Sequence, residues 1–264
     1  MNNQVDIITV TYGNMFPVIK RTVESLYKFT EQPFCLIIVN NGSTDDTTTL
    51  SERYVNCKVI NTGENLGMVK GFNIGLRTST APFIARMDHD VEFVMPWKQR
   101  FIKLLETRKK VGMVGPRVIF PNEKIYSALC KFYIAHLPFS FNNPLIFPKF
   151  LRHFISSKTH MKEEDNDARF RVVKKVSHVT GSFFLMKREV FEKVGFADEQ
   201  YPAKNGVYED LDYTLRVIQT GYKILYDGTV KIVHYSGGEL FKKREGSEIE
   251  IQQNQQRLKN KWGL

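Results

Sequence analysis

Cysteine is scarce in this chain of 264 residues. The three present, Cys35, Cys57 and Cys130, show no metal-ligand spacing. An odd and sparse set excludes a disulfide scaffold and fits a reducing compartment, where a small buried thiol is the ordinary role. No apolar run approaches the roughly 18 residues that suggest a bilayer span. Met1-Asn2-Asn3-Gln4 leads straight into a strand pattern without the basic and apolar regions of a secretory leader, so a cytoplasmic protein is expected. Zinc-finger spacing, a helix-turn-helix pattern and an RNA-binding aromatic signature are all missing, and no specific nucleic-acid binding is expected. There is no long low-complexity tract and no internal repeat. With 42% hydrophobic residues the chain should be globular, and its length suits one large α/β domain spanning 1–264.

Acid is also in deficit, with 28 Asp and Glu against 38 Lys and Arg, for a formal charge of +10. Such a balance attracts nucleic acid, anionic lipid or phosphorylated substrates. The basic residues concentrate at 98–110, 149–152, 169–175 and 242–244, and no motif organises them. A solvated or membrane-facing basic surface follows, with peripheral contact at the cytoplasmic face of a membrane as one expectation.

Strand and helix patterns alternate along the first part of the chain. Val5-Asp6-Ile7-Ile8-Thr9-Val10-Thr11 is β-branched, and residues 17–28 have helical spacing with proline near the start. Residues 34–39 form a second strand pattern. A helix capped by Ser43 or Thr44, with Asp45 and Asp46 in its first turn, is predicted to reach about 54. A strand at 57–60, a helix at 67–77, a strand at 83–87, an amphipathic helix at 97–108 and a strand at 111–114 follow. This alternation predicts a mostly parallel central sheet flanked by helices on both faces.

The rhythm breaks over about 121–171, where Phe132, Tyr133, Phe139, Phe141, Phe147, Phe150 and Phe154 are interleaved with prolines and basic residues. An aromatic and basic insertion of this length is either functional or mobile. A satellite cluster packed on the sheet and an acceptor- or membrane-contacting interface both fit it. Order returns with a strand-like run at 176–186 and a helix at 188–194. A last helix is opened by Glu209-Asp210-Leu211-Asp212 and stopped by Gly221.

Two acidic groups carry chemistry. Asp88-His89-Asp90 closes the apolar run at 82–87. Two carboxylates one residue apart at a strand's carboxyl end can converge on a hard divalent cation that shares a substrate's phosphates. A solvated turn is the plain alternative. Glu209 and Asp210 lie in a first helical turn, where the macrodipole favours negative charge. Helix stability does not require three acids within four residues, however, and their repulsion is costly when partly buried. Such a pair facing a cleft can supply a general base.

The conjunction resembles a glycosyltransferase of the GT-A fold, with a Rossmann-like sheet, closest to the inverting enzymes of glycosyltransferase family 2. Ile7-Ile8-Thr9-Val10-Thr11-Tyr12-Gly13-Asn14, Val39-Asn40-Asn41-Gly42-Ser43-Thr44-Asp45 and Glu64-Asn65-Leu66-Gly67 with Gly71, Asn73 and Gly75 resemble its first three units. Asp88-His89-Asp90 resembles its metal motif; Gly181-Ser182-Phe183-Phe184-Leu185, Val194-Gly195-Phe196 and Glu209-Asp210-Leu211-Asp212 resemble its catalytic half. Lys261-Trp262-Gly263 resembles a recurrent ending. The resemblance implies a nucleotide-sugar half at 1–120, the insertion at 121–171, and an acceptor and catalytic half with a C-terminal helix at 172–264.

It also implies roles. Thr11, Tyr12, Asn40, Asn65, Lys70 and Asn73 would lie at the donor nucleotide, with asparagine at position 40 where the family usually has an aspartate reading the base. Asp88 would lie near ribose and metal, Asp90 would ligate Mn²⁺ or Mg²⁺, and His234 would add a metal or diphosphate contact or serve the fold. Asp210 would be the general base, with Glu209 as runner-up or acceptor ligand and Asp212 supporting its helix. The donor would be a UDP-, dTDP- or GDP-linked sugar and the acceptor a glycan or lipid-linked glycan. Two rivals remain: a nucleotidyltransferase making a sugar nucleotide, and a non-catalytic carbohydrate- or nucleic-acid-binding module. Thr11-Tyr12-Gly13-Asn14 is a poor phosphate loop for the first, and the second leaves the acids without a purpose.

Overall fold

A computed structural model describes residues 3–134, 155–158, 160–201, 206–235 and 247–263. Its strands are β1 (Val5–Thr11), β2 (Phe34–Asn40), β3 (Cys57–Asn61), β4 (Phe83–Asp88), β5 (Val91–Phe93), β6 (Val111–Ile119), β7 (Ile125–Ser127), β8 (Lys131–Ile134), β9 (Ile155–Lys158), β10 (Val173–Val176), β11 (Phe183–Lys187) and β12 (Lys223–His234). Its helices are α1 (Phe16–Phe29), α2 (Leu50–Arg53), α3 (Met68–Thr78), α4 (Lys98–Thr107), α5 (Arg188–Val194), α6 (Glu209–Gln219) and α7 (Ser247–Trp262).

The main sheet runs β10-β12-β6-β11-β4-β1-β2-β3, with β5 added to β12 and β7 to β6; β8 and β9 form a separate pair. The half containing β4, β1, β2 and β3 is parallel throughout. There β1 is buried along its whole length, as a strand covered on both faces requires. The expected parallel order gives way at β11, which is antiparallel to both β4 and β6, so the sheet as a whole is mixed. Side chains alternate between two cores. Ile7, Leu36 and Ala85 pack with α1 and α4 on one face; Ile8, Ile37 and Ile84 pack with α3, α5 and α6 on the other.

Two expected elements are broken. The segment after β2 is not one helix but a 3₁₀ turn, Asp46–Thr49, followed by the short α2. Three successive β-branched threonines disfavour an α-helix there, and Asp45 caps the turn by accepting from Thr47 N. The run 176–186 is interrupted between β10 and β11, and the loop 177–182 carries site residues. The sequence 121–171 is only partly an insertion: Ile125, Ala128, Cys130 and Phe170 are core residues. Phe139, Phe141, Phe147, Phe150 and Phe154, with the basic stretch 149–152, lie outside the described residues, as does the basic stretch 242–244.

Two devices fix the strand that carries Asp88. Asp6 is buried in β1, and its Oδ2 accepts from Ser79 Oγ (2.9 Å), Thr80 N (2.6 Å) and Ala81 N (2.8 Å), clamping the α3–β4 turn. Gly71 and Gly75 let α3 lie directly on β1. A Cβ at Gly75 would fall 2.3 Å from Ile8 Cγ2, and one at Gly71 2.7 Å from Val10 Cγ1. Ile8 is fully buried and has nowhere to move. Gly75→Leu is therefore expected to destabilise the domain by about 3 kcal/mol or more, the upper end for overpacking, read as a lowered urea midpoint. An unchanged midpoint would refute this packing.

The C-terminal helix is locked on by acids. Asp212, fully buried, accepts from Trp262 Nε1 (2.8 Å), Lys261 Nζ (3.0 Å) and Arg216 Nε (3.1 Å). Asp198 binds Arg257 Nη2 (2.7 Å) and Lys261 Nζ (2.8 Å). Burial raises the Asp198 carboxyl, but these cationic donors outweigh it and hold it down at about 2. Asp212 thus supports α6, as its sequence position implied, and anchors α7 as well.

Candidate active site

β4 ends at Asp88, the chain turns through His89 and Asp90, and β5 then pairs antiparallel with the end of β12, placing His234 opposite Val91. Tyr235 N donates to the Asp90 carbonyl at 3.0 Å, closing that ladder. The pairing brings His234 Nε2 to 3.0 Å from Asp90 Oδ1 and 3.7 Å from Asp88 Oδ2. One ligand atom from each of Asp88, Asp90 and His234 lies within 4.8 Å of the others. Two carboxylates and one imidazole suit an ion such as Mn²⁺, which accepts oxygen and nitrogen donors. Asp90 and His234 are buried and Asp88 half-buried. Burial, with Asp90 adding to it, raises the Asp88 carboxyl despite Arg86 and His234. Burial lowers the His234 ring, but its contacts with Asp90 and Asp88 outweigh that and its pKa is raised. The Tyr126 ring meets His234 edge-on at 4.6 Å. Ser182 Oγ lies 3.5 Å from His234 Nδ1, the second nitrogen that orients a metal-binding histidine.

A buried arginine joins this cluster to the second acid pair. Arg86 precedes Asp88 on the same face of β4. Its Nη2 is 2.7 Å from Glu209 Oε1 and 3.9 Å from Asp88 Oδ1, and its guanidinium stands 5.4 Å from the Phe72 ring centroid. Gly181 makes room for it, since a Cβ there would fall 2.7 Å from that nitrogen. Glu209, buried, is raised by desolvation although Arg86 opposes this. Asp210 is held differently. Its Oδ2 accepts from Gly181 N and its Oδ1 from Leu211 N, both at 2.8 Å. Burial raises the Asp210 carboxyl, but His178, Arg86 and these two N–H donors outweigh it and lower its pKa. Asp210 is therefore an ionised, oriented carboxylate, whereas Glu209 is engaged with Arg86.

The fold brings together Asp88, Asp90 and His234 directly, and Glu209 and Asp210 through Arg86. The other residues singled out from the sequence have mixed placements. Thr11 is fully buried at the end of β1 with its hydroxyl oxygen lacking a hydrogen bond, and Tyr12 is half-buried beside it. Asn40 Nδ2 donates to Ser43 O and Asn61 Oδ1, both at 2.9 Å, and its Oδ1 accepts from Ser43 N, so it shapes the β2 turn. Asn65 Oδ1 accepts from Gly67 N at 2.9 Å, holding the entry to α3, and Lys70 is exposed on that helix. Asn73 departs from the expectation of a donor contact. It is fully buried, donates to Ala197 O and Glu199 Oε1, and accepts from Ala197 N, stitching α3 to the loop after α5. His89, between the two aspartates, points its Nδ1 at the Val10 carbonyl (3.2 Å).

Arg86, Tyr126 and His178 were not singled out from the sequence. Arg86 was open to detection, because an arginine inside an apolar strand run must find a partner when buried.

Residues 6–195 match the sequence profile described as Glycosyl transferase family 2. An N-acetylglucosaminyl-diphospho-decaprenol L-rhamnosyltransferase of Mycobacterium tuberculosis is 23% identical over 247 residues, covering 89% of this chain and 77% of its own. The O-antigen chain rhamnosyltransferase WbaN of Salmonella anatum is 28% identical over 208 residues, 78% of this chain and 58% of its own. Among solved structures, GalNAc-T7 with UDP, GalNAc and Mn²⁺ superposes with a TM-score of 0.65 at 14% identity, over 89% of this chain and 44% of that one. The mannosyltransferase PcManGT of Pyrobaculum calidifontis with GDP-Man and Mn²⁺ gives 0.58 at 17% identity, over 89% of this chain and 57% of that one. These similarities in fold and the profile match over most of the chain agree with the acidic site at the sheet's carboxyl edge: this chain belongs to glycosyl transferase family 2, with the GT-A fold, and is a glycosyltransferase.

Proposed function

We propose that the enzyme transfers a sugar, with inversion, from a nucleoside-diphosphate sugar to a hydroxyl of a glycan or lipid-linked glycan. The observation that carries this reading is the link from the Asp88, Asp90 and His234 cluster, through Arg86, to the acids at the start of α6. A Mn²⁺ or Mg²⁺ ion held by Asp90, Asp88 and His234 would supply Lewis-acid stabilisation of charge on the leaving diphosphate. Asp210 takes the proton of the acceptor hydroxyl, whose oxygen attacks the anomeric carbon from the face opposite the nucleotide. A single displacement of that kind inverts the configuration. Glu209 serves Arg86 rather than the acceptor, which separates the two neighbouring acids. Thr11, Tyr12, Asn65 and Lys70 border the donor side, while Asn40 contributes through the turn it builds.

The name of the mycobacterial relative supports a lipid-linked acceptor, and the nucleotides in the neighbouring structures support a UDP- or GDP-linked donor, with a dTDP-linked sugar as the further candidate. Among the described residues no helix is long and apolar enough to cross a membrane. The surplus of basic residues supports peripheral contact with an anionic membrane.

A thermal-shift screen of uridine, thymidine and guanosine sugar nucleotides with Mn²⁺ tests the reading. One donor at a hundredfold excess over its Kd is expected to raise Tm by roughly 5–10 °C. The same donor should release nucleoside diphosphate in a reaction abolished by chelation. Silence of every donor in both assays would remove the proposal.

A further inference from the structure

His178 lies in the loop between β10 and β11, with its side chain 11% exposed. Its Nδ1 is 3.0 Å from Thr214 Oγ1, and that hydroxyl donates to the Leu211 carbonyl at 2.9 Å. One hydroxyl hydrogen cannot serve both contacts. Both are hydrogen bonds only when His178 carries its proton on Nδ1 and Thr214 accepts it. In the neutral ring the lone pair then belongs to Nε2, which faces Asp210 Oδ2 at 3.7 Å. Asp210 is held by two backbone N–H groups and cannot swing away. Two acceptors facing each other repel, and a proton on Nε2 turns that repulsion into attraction between an imidazolium and a carboxylate.

We propose that His178 is a positioning residue of the base, whose Nε2 shares the proton that Asp210 withdraws from the acceptor hydroxyl. This rests on the reading of Asp210 as general base. In the step, the acceptor O–H bond breaks and its oxygen bonds to the anomeric carbon. The bond from that carbon to the diphosphate breaks, its electron pair leaves with the nucleoside diphosphate, and the proton ends on the Asp210–His178 pair. Among the described residues, the charged groups acting on the ring include Asp210 from α6 and Arg86 from β4. Burial lowers the His178 pKa most, Arg86 lowers it further, and Asp210 opposes them. At neutral pH the resting pair is a carboxylate and a neutral imidazole. As pH falls through the histidine's pKa, the ring acquires a proton from solvent, and the pair no longer has room for the acceptor's.

His178→Gln in the full chain tests this through kcat, donor KM and the pH profile of kcat/KM. The variant should lose about 10- to 100-fold in kcat, less than a general base supplies in full, with donor KM within about twofold. Its acid limb should move to lower pH, because only Asp210 remains to titrate. An unmoved limb, whether kcat falls or not, would reduce His178 to a structural role and overturn the proposal. Should His178→Gln fail to fold, Thr214→Val decides by releasing the ring's tautomer: kcat should fall at constant donor KM, and an unchanged kcat overturns the idea. Full turnover by Asp210→Asn would instead remove the underlying base reading.

Discussion

Asp210→Asn is expected to reduce sugar transfer by about 10²- to 10⁴-fold, the range that general-base catalysis supplies, while donor KM stays near its original value. The substitution keeps the side chain's shape and removes its charge. It also changes the local bonding, because Asp210 accepts Gly181 N through one oxygen and Leu211 N through the other. An amide has a single oxygen, so one N–H loses its acceptor at a cost of about 1–3 kcal/mol. Some loss of stability therefore accompanies the loss of activity, and the kinetic and thermal measurements must be made on the same sample. Glu209→Gln provides the contrast. Its carboxylate is 2.7 Å from the buried Arg86, which also has Asp88 at 3.9 Å and Asp210 as acidic neighbours. Removing one partner of a buried ion pair costs about 3–5 kcal/mol, so this variant should show mainly a lowered Tm. Wild-type turnover in Asp210→Asn, or a catalytic collapse confined to Glu209→Gln, would exchange the roles of the two acids.

β1, β2 and β4 were legible because each is a short apolar run with almost no exposed position, and α1, α3 and α4 because each carries one apolar stripe. The long strands were not. β6 continues to Ile119 through Gly115 and Pro116, residues that normally end a strand. β12 runs for 12 residues through Asp227-Gly228, where its register shifts against β6. Asp88, Asp90, Glu209 and Asp210 were legible because a strand end or helix start gives so many acids no packing reason to be there. Arg86 draws its meaning from Glu209, 123 residues away, and His178 from Thr214 and Asp210 across a loop that read as strand. Asn73 shows the converse. Its place in a family-like pattern suggested a ligand, whereas its buried amide serves the contact between α3 and the loop after α5. Local patterns expose a charge that lacks a local reason, but partners brought together by tertiary contact stay hidden until the sheet is assembled.

Asp90→Ala is expected to lower transfer by about 10²- to 10³-fold, the usual effect of removing one group that stabilises developing charge, and to abolish the rise in Tm that Mn²⁺ gives. The fold should survive. The Asp90 carbonyl, not its side chain, accepts Tyr235 N, so the β5–β12 ladder that delivers His234 remains. Removing the carboxylate also relieves like-charge repulsion in a buried site, since Asp90 helps to raise the Asp88 pKa. His234 keeps Asp88 at 3.7 Å as an acidic neighbour. Loss of the 3.0 Å contact to His234 works against this relief, so metal-free Tm should fall only modestly and the transition stay cooperative, which separates this variant from one that merely unfolds. Titrating wild type and Asp90→Ala with Mn²⁺ while following Tm and nucleoside diphosphate release measures both effects together. A retained Mn²⁺ shift with transfer within about tenfold of wild type would move the ion away from Asp90. Loss of the shift with transfer intact would instead show that chemistry at this site proceeds without the ion.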